Sequence, residues 1–179
     1  MAWQLDPSHS EIQFSAKHLM ISTVRGRFHK FTATVDGDEQ NPTAAKVDVQ
    51  IEAASIDTRD EKRDGHLRSA DFLDVERFPY ITFESGSVRK DRDGYVVSGD
   101  LTIRGTTLPA DVSVVVNGVV DGMKGKVAGF SGTATIDRTK WGLVWNMPIP
   151  GGVLVSEKLK LEFDLQAAES VSAQGTAAA

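Results

Sequence analysis

Residues Lys158 to Gln166 read K-L-K-L-E-F-D-L-Q, with charged or polar side chains alternating without a break with apolar ones. Successive side chains of a strand point to opposite faces, so Leu159, Leu161, Phe163 and Leu165 share one side and the polar residues the other. One wet face and one dry face describe antiparallel sheet laid over an apolar interior.

The same signature recurs along the chain. Ile12, Phe14, Ala16 and His18 alternate with Glu11, Gln13, Ser15 and Lys17, which puts a histidine on the dry side of a first strand. From Arg25 to Asp36 the period restarts around Gly26 and changes parity between Phe28 and Phe31, as an extra residue near His29 and Lys30 would cause in a bulged strand. Val47, Val49 and Ile51 mark a third strand. Tyr80–Val88 and Tyr95–Ile103 are joined by Lys90-Asp91-Arg92-Asp93-Gly94, whose Asp-Gly end signals a hairpin. Val112, Val114 and Val116 form a strand that Asn117-Gly118 ends, and Val127 to Ile136 form the next.

The pattern breaks once for a helix. Asp57 can cap it, Asp60 and Glu61 sit in its first turn, and Asp64 and Arg68 are spaced for an ion pair, which predicts a short helix from Thr58 to about Ser69. Many strands, frequent turns and one helix predict a mainly β fold, a sandwich or a closed barrel. A barrel of about eight strands has room for packed side chains or for one small ligand. Residues 1–166 read as a single domain, and 167–179, small and polar, as a loose tail.

Composition narrows the function. A net charge of -5, with lysine and arginine scattered among acids, speaks against nucleic-acid binding, which needs a clustered basic surface. The absence of cysteine removes disulfides, thiolate nucleophiles and cysteine metal sites together. No window approaches the roughly 20 apolar residues of a membrane span. The amino-terminal segment has neither a basic stretch nor an apolar run of signal-peptide length, which predicts a cytoplasmic location.

Motifs for chemistry are lacking. His9, His18, His29 and His66 match no metal-ligand spacing, so no metal or other cofactor is expected, and each imidazole is read as hydrogen-bonded near a carboxylate or carbonyl. His18 differs in facing the interior, where it could meet a ligand head or serve as an acid or base. Nucleophile elbows, phosphate loops and dinucleotide fingerprints are absent. Asp57, Arg59, Asp60, Arg63 and Asp64 form either a solvated helix face or buried pairs that hold the helix to the barrel.

Several segments resemble one family. Asp6-Pro7-Ser8-His9-Ser10 with Phe14, His18 and Gly26-Arg27-Phe28 is similar to the opening of the YceI-like, or polyisoprenoid-binding, proteins. Arg63, His66-Leu67-Arg68-Ser69-Ala70-Asp71-Phe72 and Phe78-Pro79-Tyr80-Ile81-Thr82-Phe83 resemble its central signature. Gly99-Asp100-Leu101-Thr102-Ile103-Arg104-Gly105 and Asp137-Arg138-Thr139-Lys140-Trp141-Gly142 resemble its later blocks, in the same order, over roughly Trp3 to Leu165. Leu73 stands where the family often has an aromatic residue.

The resemblance implies a lipocalin-like antiparallel barrel with a helix alongside, and a long apolar cavity that accepts an isoprenoid or other amphipathic lipid. It also implies that two copies can pair. Candidate wall residues are Phe14, Phe28, Phe31, Phe83, Leu101, Ile103, Phe130, Leu161 and Phe163, which either line a lumen or fill a solid core. Trp141, Trp145, Met147 and Ile149 lie in a glycine- and proline-rich loop that lines an entrance, touches a bilayer surface, or plugs one end with Arg138 against a tryptophan. The expected function is non-enzymatic lipid binding or transport. Alternatives are a lipid-modifying enzyme using His18 and a solid-core interaction barrel.

Overall fold

The computed structural model describes residues 2–170. In chain order the strands are β1 (Ala2–Leu5), β2 (Glu11–His18), β3 (Ser22–Phe28), β4 (Phe31–Asp38), β5 (Asn41–Glu52) and β6 (Ile56–Asp57). The helix α1 (Glu61–Arg68) follows. After it come β7 (Tyr80–Asp91), β8 (Gly94–Ile103), β9 (Thr106–Gly122), β10 (Gly125–Asp137), β11 (Pro148–Ile149), β12 (Gly152–Val153) and β13 (Lys158–Glu169).

The pairs β2–β3 and β4–β5 and every step from β7 to β10 join strands adjacent in sequence, and β13 returns to the start of the chain. One edge of β13 pairs with β10 along its whole length, while the other pairs with β2 at Lys160–Asp164 and with β1 at Ala167–Glu169. β1 and β2 therefore act as one strand broken by a short turn at Pro7–His9, and β3 and β4 as a second broken strand beside it. The result is a closed, eight-stranded, antiparallel up-and-down barrel, whose closure through β1 leaves none of those eight strands at the end of an open sheet.

The break in the first strand is held by Asp6. Its carboxylate accepts the Ser8 amide at 3.0 Å and the Ser8 hydroxyl at 2.6 Å, and lies 2.8 Å from His9 Nδ1. Hydrogen bonds from Ser8, then from His9, hold the Asp6 carboxyl down at about 2. A depressed carboxylate stabilises the fold above its unfolded pKa, and that stabilisation is lost as pH falls toward 2. Acid unfolding of the wild type and of Asp6→Ala should therefore converge between pH 4 and pH 2; a stability difference that persists at pH 2 would remove the charge from the explanation.

Several local readings need correction. The parity change after Phe28 is a corner, not a bulge: the His29 amide donates to Ser55 and the Glu52 amide to the Lys30 carbonyl, ending β3 and starting β4. Asn117-Gly118 does not end its strand, because β9 runs on to Gly122 with a bulge opposite Gly129 and Phe130. The helix starts later than expected and is capped by Asp60, whose side chain accepts the Arg63 amide. Asp57 instead accepts the Arg59 amide and sits 2.7 Å from His29 Nε2. The Asp64–Arg68 pair does not form. Asp64 is buried and accepts both the amide and the hydroxyl of Thr58, while Arg68 binds Glu61 and the carbonyls of Ala54 and Ile56. The charged cluster thus fastens α1 to the barrel wall. Ala167–Glu169 belong to β13 rather than to the tail, and 171–179 lie outside the described residues.

Candidate functional site

Alternation along the strands turns Phe14, Leu161 and Phe163 inward, yet each stays only half-buried. No large side chain among the described residues is completely buried. Inward-facing residues that still expose surface enclose space, and here they surround a cavity of about 1110 Å³ running the length of the barrel. That is above the roughly 300–1,000 Å³ usual for small-molecule pockets. A solid core is excluded.

The hollow has a local cause in the glycines. Phe14 pairs across the strands with Gly26, and a Cβ on that glycine would lie 2.3 Å from the Phe14 ring. Gly132 makes the same seat for its partner Phe163, at 2.2 Å, and Gly99 receives the ring of Phe83 at 2.8 Å. Each of these three rings lies over a glycine against the wall, so Phe14, Phe83 and Phe163 take up less of the axis than their size alone would.

Of the expected wall residues, Phe14, His18, Phe28, Phe83, Leu101, Phe130, Trp145, Leu161 and Phe163 line the cavity. Phe31, Ile103 and Trp141 do not. The corner at His29 and Lys30 carries Phe31 to a separate depression beside His9 and Arg27. Ile103 and Trp141 are buried in a cluster with Leu143, and Trp141 Nε1 donates to the Leu101 carbonyl at 2.9 Å, so this part of the loop is a plug. Val49, Val97, Val112 and Leu159 also line the cavity, beyond the expected wall residues. The period-two signal already placed Val49, Val112 and Leu159 on dry faces.

The two ends differ. Near the turn joining β4 and β5, Asp38 and Glu39 border the cavity, and Glu39 is paired with Lys126 at 2.7 Å. The other end is formed by α1 and the segment between β10 and β13. There Trp145 meets His66 and Phe72 with ring centroids 4.7 and 5.4 Å away, and His66 is 2.8 Å from Asp71. Arg138 is 2% exposed and donates to the carbonyls of Leu143, Trp145, Val155 and Ser156. Burial pulls its pKa down, with Glu157 and Asp137 opposing. Its guanidinium lies 6.0 Å from the Phe72 ring rather than on a tryptophan. Leu73, the departure from the family pattern, is buried and lines the cavity at this end.

A family model described as the YceI-like domain matches residues 3–167. The chain belongs to the YceI-like family. A UPF0312 protein of Staphylococcus aureus (strain bovine RF122 / ET3-1) is 39% identical over 162 residues, covering 88% of this chain and 91% of its own. Among solved structures, Burkholderia cenocepacia BcnA superposes with a TM-score of 0.81 at 24% identity, covering 92% of this chain and 99% of its own. A polyisoprenoid binding domain from Saccharophagus degradans, implicated in plant cell wall breakdown, superposes at 0.63 with 15% identity, covering 94% and 98%. At these identities the two structures show a shared fold. Three of the four histidines pair with carboxylates: His9 with Asp6, His29 with Asp57 and His66 with Asp71. Among the described residues no hydrogen bond or ion pair reaches the His18 ring, and no group of three His, Asp or Glu could hold a metal ion.

Proposed function

We propose that this protein binds and carries an isoprenoid or another amphipathic lipid in the barrel lumen without chemically altering it. The observation that carries the reading is the cavity of about 1110 Å³ lined by inward aliphatic and aromatic side chains. Burying each methylene contributes about 0.8 kcal/mol, so a chain of several isoprene units exceeds the roughly 4–15 kcal/mol cost of association. The polyisoprenoid binding domain with the same fold supports this class of cargo. Wall residues supply affinity through length, and His18, inward and without a protein partner, is available to a polar head.

The alternative use of His18 as a catalytic base is less well supported. A base of that kind is normally held by a third group, as a carboxylate orients a triad imidazole, and His18 has no such partner among the described residues. Native mass spectrometry and solvent extraction of freshly purified protein should release an intact long-chain lipid. Protein that is always empty and takes up no added isoprenoid would refute the reading, while conversion of the lipid that stops in His18→Ala would establish the enzyme instead.

A further inference from the structure

The turn between β2 and β3 is built against the preferences of its residues. Leu19 and Met20 both have positive φ, at 53° and 59°. Asn and Gly occupy that left-handed region readily, whereas bulky side chains are strained in it. The Ile21 amide donates to the His18 carbonyl at 3.2 Å, so these are the two central positions of a type I′ turn, for which Asn-Gly is the favoured pair. Apolar side chains nevertheless stand there, with Met20 64% and Ile21 84% exposed. Strain retained to hold greasy side chains in water marks a contact surface.

A second segment extends the same surface. The Leu19 amide donates to Leu154 at 2.9 Å, the Leu154 amide donates to Met147 at 3.0 Å, and His18 bridges Val155. The turn is thereby fastened to the loop that exposes Val144 and Met147, at 66% and 51%. The fifteen residues 142–156 carry no formal charge, and neither do residues 19–24. At their borders stand Lys17, Arg25 and Lys140, and Lys62 and Arg63 line the adjoining end of the cavity, against Asp60, Glu61 and Glu157. This is a local positive excess in a chain of net charge -5.

We propose that this apolar collar docks on an anionic lipid bilayer, with Met20, Ile21, Val144 and Met147 entering the headgroup–acyl boundary and the basic residues facing lipid phosphates. His18, Trp145 and Leu154 belong both to the collar segments and to the cavity wall, so docking turns this end of the lumen toward the membrane. The excess of basic residues favours lipid headgroups over a second copy of the chain, which would set like charges face to face. The inference goes beyond the cargo reading and does not depend on it.

Flotation with vesicles of phosphatidylcholine and phosphatidylglycerol in equal parts, and of phosphatidylcholine alone, tests it. The wild type should float with the anionic vesicles, less so at high salt, and Met20→Asp with Ile21→Asp should lower the bound fraction roughly tenfold or more. Leu19→Asn with Met20→Gly should raise thermal stability by relieving the turn while also weakening vesicle binding, a pair of opposite effects that a misfolded variant cannot produce. A lumen-filling change such as Val112→Trp should leave flotation unaltered even if cargo uptake is lost. The proposal is overturned by wild-type protein that ignores anionic vesicles, by collar variants that float like the wild type, or by a dimer that these substitutions split in ultracentrifugation while vesicles are not bound.

Discussion

Val112→Trp is expected to lower lipid uptake by more than tenfold while leaving thermal unfolding unchanged or raised. Val112 lies on β9, faces inward, is half-buried and lines the cavity opposite Val97. Val112 borders the open lumen, so an indole there gains apolar contact instead of displacing a packed neighbour. In a filled core the same change would be over-packing, at a cost of about 1–3 kcal/mol. The sign of the stability change thus reports on the void, and the uptake assay reports on its use. Tryptophan also suits a strand. Leu161→Asp gives the contrast: it should reduce uptake too, but through an inward charge that costs stability as well. Unchanged uptake in Val112→Trp, with folding intact, would place the lipid elsewhere than in the lumen.

The wall was legible because it depends on period two alone. Lys158–Gln166 announced four inward residues, and Leu159, Leu161, Phe163 and Leu165 all line the cavity. What failed in the sequence reading was set by contacts between distant segments. Phe31 has the right residue type, but the corner at His29 and Lys30 depends on hydrogen bonds to Glu52 and Ser55, which no local pattern encodes. Asp57 and Asp60 are equally good caps by composition. The choice fell to Asp60 because Thr58 is drawn into the interior by the buried Asp64, while Asp57 is engaged by His29 across the sheet. The difference between a filled and a hollow barrel was also out of reach, since it rests on which glycine lies opposite which phenylalanine. Once the registers are known, Phe14 over Gly26 and Phe163 over Gly132 contribute to the open axis.

Arg138→Ala is expected to cost about 3–5 kcal/mol and to loosen the whole segment that closes the helix end of the barrel. The guanidinium is 2% exposed and serves four carbonyls, of Leu143, Trp145, Val155 and Ser156. Those oxygens come from three places along one loop, so a single side chain takes the part that strand pairing plays elsewhere. Alanine leaves them unsatisfied at about 1–3 kcal/mol each, less whatever water recovers when the loop opens. Lysine should rescue little, because a compact ammonium cannot span the arc that a planar fork reaches. Amide exchange should rise across residues 143–156 and stay low in β7 to β9, and Trp145 should become more accessible to a fluorescence quencher. If that loop is what retains cargo, lipid should leave Arg138→Ala faster than it leaves the wild type at a temperature where both are folded. Equal exchange in the loop of the two proteins would mean that packing of Trp141 and Leu143, and not the guanidinium, holds this end shut.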